Sequence, residues 1–166
     1  MSLLAVGPAR AATGTATQNV SVVLSPAGKV SVAAGFTLTT SGGTFNAFQG
    51  ALAVSYRFRT TPGGGSITLR ANSDFSPSGG PAISSGALRY SCGAADLGSA
   101  CFGPQTVSTG SATPVVQIPG SACTGGGGSC SASDPAGMQL QFTLDNSPEY
   151  KTGSYTSTLT LTVSTL

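Results

Sequence analysis

Alternation of apolar and polar residues with a period of two narrows what this chain can become more than any other feature. From Ala51 to Arg59, Leu52, Val54, Tyr56 and Phe58 share one side while Ser55, Arg57 and Arg59 take the other. Met138 to Asp145 repeats the pattern, with Met138, Leu140, Phe142 and Leu144 set against Gln139, Gln141 and Thr143. A third run places Tyr155, Ser157, Leu159, Leu161 and Val163 opposite a row of threonine and serine. Successive side chains of a strand point to opposite faces, so such runs are strands with one buried and one wet side. Weaker strands are expected at Asn19 to Leu24, Lys29 to Ala33, Phe36 to Thr39, Ser66 to Ala71, Ala87 to Cys92 and Thr113 to Ile118.

The connections carry turn chemistry, in Ser25-Pro26-Ala27-Gly28, Ser41-Gly42-Gly43, Pro62-Gly63-Gly64-Gly65 and Ser78-Gly79-Gly80-Pro81. No stretch holds a helical period with caps. Eight or nine short strands predict an all-β protein, an immunoglobulin-like antiparallel β-sandwich with a disulfide-stapled loop region, in preference to an open barrel. Two sheets bury their apolar faces against each other and leave the Thr/Ser faces wet.

Composition removes several function classes. Charged residues are 7% of the 166, against roughly 25% in an average soluble domain. The formal net charge is only +2, and the sequence has no cluster of Lys and Arg. Phosphate binding draws its affinity from such clusters, so nucleic acid is not an expected partner. No apolar run is long enough to cross a bilayer, and membrane insertion is not expected either.

Residues 1–11 read as the end of a signal peptide, with Leu3 to Val6 as apolar tail and Ala9-Arg10-Ala11 as a small-x-small cleavage pattern. Residues 12–166 then form one β-sandwich domain, secreted to the exterior or the cell surface. Four cysteines, Cys92, Cys101, Cys123 and Cys130, suit the same oxidising compartment. They allow three connectivities, of which the two local bridges are preferred, each closing a Gly-rich loop. No Cys-x2-Cys pair and no histidine favours zinc. All four lie in a Gly/Ser/Ala-rich stretch, Ser91 to Ser133, read as an elaborated loop region at one end of the sandwich. It is either decoration or a contact surface.

A search for chemistry finds little. Without histidine the chain lacks the Ser-His-Asp and Cys-His arrangements and the commonest metal ligand. Lys29 and Lys151, the candidates for a Ser-Lys dyad, read as exposed charges. Asp145 and Glu149 bracket a turn, and turn acids usually bond their own backbone. Asp74, Asp96 and Asp134 stand apart from them, without the spacing of a calcium loop. Gly125 to Gly128 lacks the Lys-Ser/Thr pair of a phosphate loop. There is no Trp, and Phe45 and Phe48 are the one plausible exposed aromatic pair, read in preference as core plugs. Asn19-Val20-Ser21 fits a glycosylation sequon. No catalytic residue, cofactor or metal site is expected.

The run from Tyr150 to Val163, with Gly153-Ser154-Tyr155 followed by alternating threonine and apolar residues, resembles the ending of spore-coat-U and chaperone–usher pilin-like domains. The resemblance implies an incomplete immunoglobulin-like sandwich that is secreted and assembles into surface fibres. In that family a neighbour's N-terminal extension fills the place of a missing strand. Carried onto this chain, Thr13 to Leu24 is the candidate donor, with Val20, Val22 and Leu24 as inserting side chains. The alternative is that Asn19 to Leu24 is the first strand of its own domain.

The function expected is therefore a non-enzymatic structural subunit of a fibre, coat or matrix, partnered by itself or by another surface protein. The alternative is a monomeric adhesion module using the loops from Cys92 to Cys130.

Overall fold

The structure, a computed structural model, describes residues 18–33, 35–59, 64–123 and 135–165. Among these residues are nine strands: β1 (Ala27–Val32), β2 (Phe48–Arg59), β3 (Gly65–Ala71), β4 (Leu88–Cys92), β5 (Ser99–Ala100), β6 (Gln105–Thr106), β7 (Thr113–Ile118), β8 (Ala136–Leu144) and β9 (Leu159–Thr165). They form two antiparallel sheets, one ordered β1-β2-β8-β4-β6 and the other β5-β7-β3-β9. The all-β two-sheet expectation holds.

The alternating runs behave as their pattern requires. Leu52, Val54, Tyr56 and Phe58 of β2 are buried, as are Met138, Leu140, Phe142 and Leu144 of β8. Register brings these rows together, with Leu52 opposite Leu140 and Val54 opposite Met138. Ile67, Leu69 and Ala71 of β3 close the core from the other sheet, joined by Val115, Val116 and Ile118. Phe142 anchors an aromatic group, its ring centroid 4.9 Å from Phe36 and 5.7 Å from Tyr90. Gly65 permits close packing at one end, since a Cβ there would lie 2.4 Å from the Phe58 ring and 2.7 Å from the Ser164 carbonyl oxygen.

Several expectations need correction. Asn19 to Leu24 belongs to no strand, so β1 at Ala27–Val32 is the first strand among the described residues. Three valines and a leucine supply β propensity there, but no strand among the described residues covers them. Phe36 to Thr39 contributes only a single bridge, Thr39 to Gln49, while Phe36 and Leu38 pack against the core. Tyr155 to Ser157 stops short of β9 and meets the 72–76 segment through a bridge from Thr156 to Ser76. Ser91 to Ser133 is less of an appendage than expected. It supplies β5, β6 and β7 as well as the buried Leu97 and Val107, so its apolar residues share the main core.

The bridge Cys92–Cys101 is present, with its Cα atoms 5.5 Å apart. The side chains of the other expected pair, Cys123 and Cys130, lie outside the described residues. So do the expected cleavage segment 1–11, the Gly125–Gly128 run and Asp134.

Candidate functional site: the seam between β1 and β9

A two-sheet sandwich has two lateral seams, where the edge strands of one sheet approach those of the other. The two seams of this molecule differ. One is bordered by β4 and β6 on the first sheet and β5 on the second, and the Cys92–Cys101 bridge ties it across. The opposite seam lies between β1 and β9 and has no covalent tie among the described residues.

Strands β1 and β9 approach closely at one end only. A Cβ placed on Gly28 would lie 2.7 Å from Cγ2 of Val163 and 3.2 Å from Cγ2 of Thr165, so the absence of a side chain lets the edges meet. Towards Val32 and Leu159 they diverge around a groove of about 540 Å³. Val30, Val32, Phe36, Leu52, Leu159 and Leu161 provide its apolar lining. Val32 pairs with Val54 and shares its core-facing side, yet it is 45% exposed. Leu161 sits opposite Leu69, and Leu159 opposite Ala71. The β3 members of these pairs are fully buried while the β9 members are only half-buried. Among the described residues β9 hydrogen-bonds to β3 alone and has no strand on its other side.

The segment preceding β1 supplies the complementary feature. Val20 is 89% exposed, Val22 75% and Leu24 71%. The expected donor side chains therefore carry apolar surface that the described part of their own domain does not cover.

The stapled seam presents a different surface. Phe102, next to Cys101, is 98% exposed on a turn held by Gln105 Nε2 donating to the Phe102 carbonyl at 2.8 Å. Gly103 completes this turn with a φ of 66°. Of the two aromatics read in preference as core plugs, Phe48 packs against the core while Phe45 is half-exposed.

The titratable residues serve the scaffold. Tyr56 Oη donates to the Leu97 carbonyl at 2.6 Å and accepts from the Leu97 amide. Burial pushes its phenol above the ordinary range and the nearby Asp96 charge adds to this, so the hydroxyl keeps its proton. Tyr90 bonds the Pro114 carbonyl at 2.7 Å and the Thr113 hydroxyl at 2.9 Å, and burial likewise raises its pKa. Burial of Asp74 favours the neutral acid. Bonds from the Ser84 hydroxyl and from the Ile83, Ser84 and Phe75 amides outweigh that effect and hold the carboxyl below its usual range. Asp96 accepts from the Gly137 amide at 2.7 Å. Asp145 pairs with Arg89, Nη2 lying 2.5 Å and 2.8 Å from its two oxygens. Lys29 and Lys151 are exposed. No group of three or more His, Cys, Asp or Glu able to hold a metal occurs among the described residues, and no described helix is long and apolar enough to cross a membrane.

One grouping escaped linear reading. Register places Lys29 directly opposite Arg57, and Arg59 opposite Ala27, on the outer face of β1 and β2. Arg57 and Arg59 are visibly neighbours in the sequence, but a pairing across 28 residues leaves no linear signal.

No protein-family model matches the chain, and no curated protein matches it. The fold and its geometry define a class only: a disulfide-bridged, two-sheet antiparallel β protein with one seam bridged and the other left open by the described residues.

Proposed function

We propose that this chain is a non-enzymatic, secreted structural subunit of an extracellular fibre, coat or matrix, and that copies join by strand donation. The observation that carries this reading is the pairing of an open apolar seam between β1 and β9 with an exposed apolar segment, Val20, Val22 and Leu24.

The topology supports it. The order β1-β2-β8-β4 facing β3-β9 matches the A-B-E-D and C-F order of an immunoglobulin-type sandwich, with no strand in the place of G among the described residues. Tyr155 adds a second mark of that family of folds. Just before β9, its hydroxyl donates to the Lys151 carbonyl at 2.7 Å, as in a tyrosine corner. Its ring lies against Gly80, where a Cβ would sit 2.3 Å from the ring atoms.

Val20, Val22 and Leu24 project to one face when extended, matching the spacing of Leu159, Leu161 and Val163. A strand laid beside β9 hydrogen-bonds to its free edge and places alternate side chains in the groove. It also covers an edge that otherwise invites uncontrolled aggregation. The segment leaves the domain at the closed end of the seam, while the groove opens at the other. Donation to a second copy is therefore head-to-tail, and a head-to-tail contact that does not close on itself builds a filament.

Electron microscopy and size measurement over a concentration series test this. Concentration-dependent filaments are expected, with Val22→Asp/Leu24→Asp remaining monomeric and folded. A wild-type chain that stays monomeric throughout, or a double variant that polymerises equally well, overturns the proposal.

Phe102 favours a second reading, a monomeric adhesion module that uses the loop region. A fully exposed ring on a well-held turn is the kind of aromatic anchor that dominates interfaces. Under this reading Phe102→Ala abolishes surface adhesion of the monomer, and Val22→Asp/Leu24→Asp leaves it intact.

A further inference from the structure

We infer that Phe45 anchors an end-to-end contact between successive copies of this chain, seated against the end of the neighbour from which the donated segment leaves. The inference rests on strand donation and adds a second interface to it. Only Ser25 and Pro26 separate Leu24 from β1. From Leu24 to Ala27 the backbone reaches about 10–11 Å at full stretch, no more than the separation of two packed sheets. With Leu24 in one copy's groove, the body that donates it is held against that copy, and the two ends abut. Strand direction decides which loops meet. β1 starts at the closed end of the seam, with Ala27 opposite Arg59, and runs to Val32, opposite Val54, at the open end. β2 runs the other way and begins at Phe48, beyond Val54, so the loop before it lies at the open end of the groove. Phe45 belongs to that loop.

Two features mark this residue out. Among the described residues Phe45 is the one non-glycine with a positive φ, 61°, a conformation that bulky side chains rarely adopt. Its ring is also 54% exposed, so the strain does not secure a place in the core. Such strain persists only where the surroundings impose it, and it gathers at functional positions. Here Thr40 Oγ1 and Asn146 Nδ2 donate to the Asn46 carbonyl at 3.2 Å and 3.0 Å, and Asn46 Nδ2 donates to the Ser41 carbonyl at 3.1 Å. The loop is thus braced while it presents an apolar ring to solvent. The end that it meets carries Pro26, Arg59 and Pro119, all exposed. They offer apolar surface beside a guanidinium, a good partner for an aromatic face. A rigidly held aromatic side chain that becomes buried on contact is the kind of anchor that dominates an interface.

Hydroxyl-radical footprinting of wild-type filaments and of dilute monomer tests it, with Phe102 on the lateral margin as the comparison. Phe45 is expected to lose most of its reactivity on assembly relative to Phe102. A second measurement uses Phe45→Asn, which removes the ring and suits the positive φ, where asparagine is enriched. This variant should unfold at the wild-type denaturant midpoint or above it. It should nevertheless need at least about tenfold more protein to form filaments. A wild-type chain that never polymerises removes strand donation and this contact together. Filaments in which Phe45 stays as reactive as in the monomer, or Phe45→Asn filaments that form at the wild-type concentration, overturn this inference alone. If Phe45→Asn misfolds, the wild-type footprint decides.

Discussion

Tyr56 shows how a single side chain connects two parts of the fold distant in sequence. Its ring is buried within the β2 row and lies 6.1 Å from Phe58 in an edge-on arrangement. Its hydroxyl satisfies both the amide and the carbonyl of Leu97, 41 residues further along. Tyr56→Phe leaves those two backbone groups without their partner while keeping the ring in place. Buried polar groups deprived of a partner cost about 1–3 kcal/mol, and thermal or urea unfolding should show a loss of that size. Tyr90→Phe makes a useful comparison, because Thr113 Oγ1 keeps its own bond to the Leu69 carbonyl at 3.0 Å.

Among the elements, the two seams are the informative contrast. Cys92 ends β4 in the first sheet and Cys101 follows β5 in the second, so the bridge joins the sheets across a margin whose strands β5 and β6 are two residues long. Strands that short hold little on their own. Cys92→Ser/Cys101→Ser should lower stability by about 2–3 kcal/mol, the chain-entropy value for closing a loop of this length, as read by denaturant unfolding. How far these elements were legible in the sequence follows from what each depends on. β2 and β8 were plain because both are central strands whose every second residue is buried, as in Leu52 to Phe58 and Met138 to Leu144. Asn19 to Leu24 has the same local alternation, but local pattern does not reveal whether a partner strand lies alongside. β5 and β6 are too short for any period to register. The groove and the Lys29–Arg57 pair arise from register and strand order, which only the tertiary arrangement determines, although the candidate inserting residues were readable as Val20, Val22 and Leu24.

For the molecule as a whole, order along the chain and order in space diverge. Among the described strands only β1 and β2 are consecutive in sequence and adjacent in one sheet, and thereafter every successive strand lies in the opposite sheet. Few contacts are local, so native pairing must wait for long loops to close. Folds of this kind refold in about milliseconds to seconds, far slower than helical bundles. Stopped-flow refolding of the monomeric Val22→Asp/Leu24→Asp variant, with its disulfide intact, should fall in that range, and a microsecond phase would contradict it.

The same back-and-forth course between sheets affects what happens when the backbone is severed. A protease nick within residues 72–87 separates β1, β2 and β3 from the remaining six strands. The amino-terminal piece still has β3 enclosed by β7 and β9 of the other piece, and β2 zipped against β8. Neither half can slide away without unravelling both layers, so a clipped molecule holds its shape until it is denatured.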